Sequence, residues 1–149
     1  MSKVLVLYTG GTIGMIKDPE SGHLGSVDFN SVYEHIPELK RLQIDITTES
    51  FRNPIDSSEM GPEDWIEMVR IIEKKYNDFD GFVILHGTDT MSFAASALSF
   101  LIQDIKKPII FTGSQLPIGV IRTDGKENLI TALEIAAAKD SNGESIIQE

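Results

Sequence analysis

Three short stretches of this sequence concentrate hydroxyl, carboxylate and glycine residues: Thr9-Gly10-Gly11-Thr12, Asp56-Ser57-Ser58-Glu59 and Gly87-Thr88-Asp89-Thr90. Glycines such as Gly10, Gly11 and Gly87 let backbone come close to a ligand and leave peptide N–H groups free to face an anion or an oxyanion. Thr12 and Thr88 are candidate nucleophiles or ligand clamps, and Asp89 can hold a substrate ammonium or orient a water. Each also has a plainer role open to it. Thr12 can be a turn or cap residue, Asp89 can cap a helix beginning near Met91-Ser92, and Ser57 or Ser58 can cap or bend the loop before Pro62. The chain has no cysteine, which removes disulfides, thiolate catalysis and thiolate metal sites, so any nucleophile carries oxygen or nitrogen. His23, His35 and His86 show no H-x-x-x-H or H-E-x-x-H spacing, so no metal site is expected. His86, at the end of an apolar run, reads as a structural histidine. Gly10 to Gly14 lacks the third glycine of G-x-G-x-x-G and the lysine of a P-loop, so a nucleotide is not indicated and no cofactor is expected.

These stretches need elements to bring them together. Val4 to Tyr8, Phe82 to Leu85 and Pro108 to Phe111 are short, nearly continuous apolar runs. Such runs suit strands buried on both faces of a parallel sheet. Each ends in a Gly/Thr/Ser loop, the third being Thr112-Gly113-Ser114-Gln115. Gln43 to Thr48 adds a fourth strand, with Ile44 and Ile46 alternating against polar neighbours. Between the strands lie helical periods. Gly61-Pro62-Glu63-Asp64 opens a helix with proline at its first position and acids at the positive end of its dipole. Its apolar face is Trp65, Met68, Val69, Ile72 and Tyr76. A second helix is read from Phe93, Ala97, Phe100 and Leu101, and a third from Asn128, Leu129, Ala132, Leu133 and Ala136. A shorter one is read over Asn30 to Glu34. The alternation predicts an α/β fold of three layers, a mostly parallel, Rossmann-like sheet with helices on both faces. In such a sheet the ligand crevice lies outside the C-terminal ends of the strands, where all three stretches would meet. Met15 to Val27 fits no element and reads as a loop or lid beside the first glycine turn. Ser145-Ile146-Ile147-Gln148-Glu149 reads as the opening of a further strand, so the domain over residues 1–149 is expected to end inside one.

Composition narrows the function classes. The 149 residues are 41% hydrophobic and 24% charged, the profile of one packed domain rather than a disordered chain. With 23 acidic against 13 basic residues the formal net charge is −10. Basic residues occur only singly or in pairs, so the positive footprint that phosphate backbones need is missing, and neither nucleic acid nor anionic membrane is an expected partner. No apolar run approaches the roughly 20 residues needed to span a bilayer, and Lys3-Val4-Leu5-Val6-Leu7 is too short for a signal sequence. The expected location is cytoplasmic.

In combination the stretches are far more specific. Thr9-Gly10-Gly11-Thr12-Ile13-Gly14, Asp56-Ser57-Ser58-Glu59-Met60 and Leu85-His86-Gly87-Thr88-Asp89-Thr90-Met91, in this order, resemble the bacterial-type L-asparaginases. Thr112-Gly113-Ser114-Gln115-Leu116-Pro117 and Arg122-Thr123-Asp124-Gly125 extend the match and look like the cytoplasmic type I branch. The resemblance implies an amidohydrolase that turns L-asparagine into L-aspartate and ammonia, with no metal or cofactor. It implies Thr12 as the nucleophile that forms an acyl-enzyme ester, Thr88 on the other side of the substrate carbonyl, and Asp89 on the α-ammonium. Ser57 matches the serine on the α-carboxylate, with Asp56 and Ser58 flanking it and Gly11 and Gly87 lining the site. Asparagine and glutamine differ by one methylene, worth only about 1–3 kcal/mol in a pocket, so a glutaminase-asparaginase is a neighbouring reading. A module that binds asparagine or aspartate without turnover is another. Met15 to Val27 matches the family's mobile lid, yet it holds no tyrosine where relatives place one: His23 follows Gly22, and the nearest tyrosine is Tyr33. The family's catalytic lysine lies beyond the corresponding end of this chain, and Lys107, Lys126 and Lys139 do not match it. The family's smaller C-terminal domain has no counterpart here either, so the 149 residues alone are expected to be inactive. The complete enzyme is expected to be a homodimer or homotetramer.

Overall fold

The computed structural model describes residues 1–17, 24–26 and 36–147. Strands β1 (Ser2–Tyr8), β4 (Ile44–Ser50), β5 (Gly81–Leu85) and β6 (Ile109–Thr112) form one sheet in the order β4-β1-β5-β6. Every neighbouring pair in it is parallel. Among the described residues three α-helices accompany it: α1 (Pro62–Lys75), α2 (Met91–Leu101) and α3 (Gly125–Ala137).

The continuous apolar runs follow from burial on both faces. Val4, Val6, Tyr8, Val83 and Leu85 point to one side, where they pack with Leu129, Ala132, Leu133 and Ala136 of α3 and with Leu39 of the 3-10 turn Pro37–Arg41. Leu5, Leu7, Phe82 and Ile84 point to the other, against Met68 and Ile72 of α1 and Ala94 and Leu98 of α2. Two apolar layers on one two-sided sheet are what a strand period of two produces when both faces are covered. The chain leaves β1 toward the α3 face and leaves β5 toward the α1/α2 face. The gap between the C-terminal ends of β1 and β5 is therefore a topological switch point, the usual place for a ligand crevice.

The helix boundaries are locally encoded. Asp64 accepts the Gly61 N–H at 2.8 Å, Pro62 occupies the first turn, and Lys74 and Lys75 close α1. The expected face of α1 is the packed one. In α2 the expectation is corrected: Phe93 is 65% exposed, Phe100 81% and Leu101 48%, while Ala94 and Leu98 are buried. The sequence Met91-Ser-Phe-Ala-Ala-Ser-Ala-Leu-Ser-Phe-Leu101 is apolar nearly all round, so periodicity cannot choose a face. Contact with the sheet selects the stripe whose small Ala94 allows close approach.

Two further regions depart from expectation. Met15–Lys17 (β2) and Leu24–Ser26 (β3) pair as an antiparallel ribbon where no element was expected. The remainder of the expected lid, and the helix expected over Asn30 to Glu34, lie outside the described residues. Ser145 to Ile147 does not join the sheet. Ser145 makes a single antiparallel bridge to Lys139 and Ile146 N–H donates to Ala138 O, so the chain folds back on the end of α3 through a turn held by the Asp140 carboxylate. Among the described residues no helix is long and apolar enough to cross a membrane.

Candidate functional site

The three hydroxyl-bearing stretches converge beyond the C-terminal ends of β1 and β5, and glycines make the convergence possible. Gly11 has φ +87°, and a Cβ added to it would stand 2.6 Å from Gly87 Cα and N. A Cβ on Gly87 would in turn stand 2.4 Å from Ser57 Oγ and 2.6 Å from Ser57 Cβ. Real side chains do not tolerate such distances, so the turn after β1, the loop after β5 and the turn at Ser57 touch through backbone that only glycine allows.

Hydrogen bonds lock the same three pieces. Thr9 N–H and its hydroxyl both donate to Leu85 O at 3.0 Å, and Ile55 N–H donates to Thr9 O at 2.9 Å. Tyr8 OH donates to Gly11 O at 3.1 Å, and burial pushes its phenol above the ordinary value. Thr90 Oγ1 donates to Ser57 O at 2.7 Å, joining the start of α2 to the middle stretch.

Within this frame Thr12 is half-buried and opens the 3-10 turn Thr12–Gly14, directly after Gly11. Ser57 is buried and begins the 3-10 turn Ser57–Glu59. Asp56 caps that turn: its Oδ1 accepts from Ser58 N at 2.9 Å and Ser58 Oγ at 2.8 Å. Those two bonds, the backbone one first, hold the Asp56 carboxyl below the usual range. Thr88 and Asp89 are exposed. Asp89 does not cap α2: Thr90 occupies the N-cap position, and no side chain makes a cap bond there. Among the described residues nothing bonds the Asp89 carboxylate, which is exposed.

His86 is the structural histidine that its place in the sequence suggested. It is fully buried, with Nδ1 2.7 Å from Gly87 O, Nε2 2.8 Å from Met60 Sδ and its ring 5.8 Å from that of Phe111. Burial pushes its pKa down, with the Gly87 carbonyl acting the other way.

Other residues of the site carry no chemistry of their own in the sequence. Gln115 Nε2 donates to Thr88 Oγ1 at 3.1 Å, and the Asp124 carboxylate holds the backbone of Gln115 and Leu116. Their only signal is membership of the Thr112–Pro117 and Arg122–Gly125 motifs. The lysines at hand lie elsewhere. Lys139 pairs with Asp80 at 2.9 Å, and Lys107 donates to the carbonyls of Tyr76 and Phe79, both at the N-terminal end of the sheet. A cavity of about 710 Å³ also lies away from the convergence, between α2 and β6, walled mainly by Leu98, Ile102, Ile105, Ile109 and Phe111. Ser99, Gln103 and Asp104 also line it.

Known proteins share this fold. Residues 3–148 match the family described as asparaginase, N-terminal. The chain is 47% identical over 139 residues to L-asparaginase 1 of Escherichia coli (strain K12), covering 90% of this chain and 40% of that protein. The crystal structure of L-asparaginase I from Vibrio cholerae superposes with a TM-score of 0.82 at 42% identity, over 91% of this chain and 41% of that one. A probable cytoplasmic L-asparaginase from Campylobacter jejuni gives 0.80 at 33% identity, over 97% and 44%. The chain thus spans about 40% of the length of the relatives it matches. Its parallel sheet, its crevice at the switch point and nearly its whole sequence place it in one group: the chain belongs to the asparaginase family, whose N-terminal part it matches.

Proposed function

We propose that the protein carrying this chain is an asparagine amidohydrolase, releasing ammonia and L-aspartate from L-asparagine. The observation that carries the reading is the contact of Gly11 with Gly87 and of Gly87 with Ser57, which gathers Thr12, Thr88, Asp89 and Ser57 around one crevice. An amide resists hydrolysis because its nitrogen leaves poorly, so the site must supply a nucleophile, oxyanion donors and a proton for the leaving group. In this reading Thr12 Oγ1 attacks the side-chain amide carbon and its proton passes to the departing nitrogen. The tetrahedral oxyanion is met by backbone N–H groups of the glycine turns. The C–N bond breaks, ammonia leaves and a Thr12 ester remains. Water then adds to the ester carbon and the C–O bond breaks, which frees aspartate and restores the hydroxyl.

Asp89 binds the α-ammonium and Ser57 the α-carboxylate, so a free amino acid amide fits better than a residue inside a peptide. Asp56 and Ser58 serve by shaping the Ser57 turn. A cytoplasmic location belongs to the same reading, supported by the likeness to the Campylobacter protein. So does a homodimer or homotetramer of the complete protein, supported by the exposed Phe93 and Phe100, which lie on a helix without a charged residue in a chain of net charge −10.

The test is ammonia release by the whole protein from L-asparagine. Thr12→Ala and Thr88→Val are expected to lower kcat by about 10³-fold or more while leaving the Tm unchanged. Binding of asparagine without any ammonia would replace the hydrolase with a binding module.

A further inference from the structure

Thr88 is held from one side by a group that the reaction scheme above does not use. The Gln115 carboxamide donates from Nε2 to Thr88 Oγ1 at 3.1 Å. The backbone around Gln115 is held at four polar atoms. Asp124 Oδ2 accepts from Gln115 N at 2.9 Å and Oδ1 accepts from Leu116 N at 3.1 Å. Leu116 O accepts from Ser114 Oγ at 2.6 Å and from Thr123 Oγ1 at 3.0 Å. Asn128 Nδ2 donates to Gly113 O at 2.9 Å. The Asp124 carboxyl lies below the usual range, the Gln115 N–H being the main cause, with burial acting against it and the Leu116 N–H adding to it. Residues 113–116 are thus a shelf clamped by residues 123–128, and Gln115 is the arm that reaches from it to Thr88.

The direction of that bond has a chemical consequence. An amide N–H only donates, so the Thr88 oxygen spends a lone pair on Gln115 and must point its own proton elsewhere. Accepting a hydrogen bond also strengthens a hydroxyl as a donor. We propose that Gln115 is a positioning residue that presents the Thr88 hydroxyl to the substrate as a hydrogen-bond donor, and that Asp124 acts on catalysis through Gln115. This rests on the reading of Thr88 as part of the hydrolytic site.

The experiment measures kcat and KM for ammonia release from L-asparagine by the whole protein. Gln115→Met keeps the length of the arm and removes the donor; kcat falls about 10- to 100-fold, the cost of a lost hydrogen bond to a reacting group, with KM little changed. Gln115→Glu, whose carboxylate only accepts, reverses the bond and loses as much at neutral pH. Asp124→Asn lowers kcat less, and the double variant Asp124→Asn/Gln115→Met is no slower than Gln115→Met alone, because one pathway has already been cut. Purely structural roles would instead give additive losses. Wild-type rates in Gln115→Met or Gln115→Glu, or additive losses in the double variant, overturn the assignment while the active wild type leaves the hydrolase reading standing. A wild-type protein that releases no ammonia overturns that reading and this assignment with it.

Discussion

Both ends of the sheet carry a tight glycine contact, Gly81 on Ala136 O at one and Gly11 on Gly87 at the other, but they differ in how their polar side chains are used. At the N-terminal end, where β1, β5 and β6 begin, charges are paired. Asp80 accepts from Lys3 N at 2.7 Å and from Lys139 Nζ at 2.9 Å, and Lys107 reaches the Tyr76 and Phe79 carbonyls with its ammonium 4.6 Å from the Tyr76 ring centre. At the C-terminal end Gly11 packs on the Gly87 backbone and Gly87 on the Ser57 side chain, and Thr88 and Asp89 stand exposed beside them. Paired charges at one end add modest stability and engage Asp80, Lys107 and Lys139. Glycine contacts at the other end leave functional groups unspent, at a cost in backbone freedom that paired hydrogen bonds such as Thr9 to Leu85 O offset. The difference teaches where to look for chemistry in such a sheet: at the end where polar side chains are gathered but not satisfied by one another.

Substitutions at the two ends should therefore behave differently. Leaving aside the two threonines, the largest effect is expected at Gly87→Ala, whose methyl would lie 2.4 Å from Ser57 Oγ. Overpacking of this kind costs about 1–3 kcal/mol, and a displacement near 1 Å in a reacting group costs about 100-fold in rate. Thermal unfolding and ammonia release should both register it, and a variant with wild-type rate would show that the crevice tolerates loosening. Asp89→Asn comes next. Among the described residues that charge bonds nothing, so KM for asparagine should rise about 10- to 100-fold, the worth of a hydrogen bond to a charged group, with Tm unchanged. A lowered Tm with unchanged KM would move Asp89 to the structural side of the comparison.

His86 gives a pH dependence of intermediate size. Burial depresses its folded pKa, so as pH falls through about 6.5 the unfolded chain takes up the proton first. Its contribution to stability is full above that value and is lost as pH falls toward the folded pKa. Tm measured between pH 8 and about 5 should decline on the acid side, and His86→Gln should flatten that decline. The smallest effect belongs to the paired end: Asp80→Asn should cost about 0.5–1 kcal/mol, as partly exposed ion pairs do, with kcat and KM unchanged. A loss of activity there would mean that the two ends are coupled.

Much of this contrast can be read in the sequence. The three apolar runs ending in Gly/Thr/Ser loops point to a parallel sheet because strands buried on both faces must be apolar throughout, and Thr12, Ser57, Thr88 and Asp89 are legible because their loops follow such strands or interrupt such a pattern. The packed face of α2 is not legible: Phe93 and Phe100 lie outward because the sheet accepts Ala94 and Leu98, a choice made by tertiary contact alone. The short ribbon β2–β3 is hidden for a related reason, since three-residue strands carry too little period to be seen. Gln115 and Asp124 stay silent because their roles are relational. An amide and a carboxylate on a loop mean little until Thr88 is known to lie 3.1 Å from one and the Gln115 N–H 2.9 Å from the other.

The central claim is that the crevice joining Gly11, Gly87 and Ser57 houses a covalent amide hydrolysis with Thr12 as nucleophile. The most direct test is to mix the whole protein with L-asparagine, quench in acid within a turnover, digest it and read the peptide masses. The account expects an aspartyl ester on the peptide containing Thr12, absent from Thr12→Ala. An ester on the peptide containing Thr88, or turnover with no ester on either threonine, would contradict it.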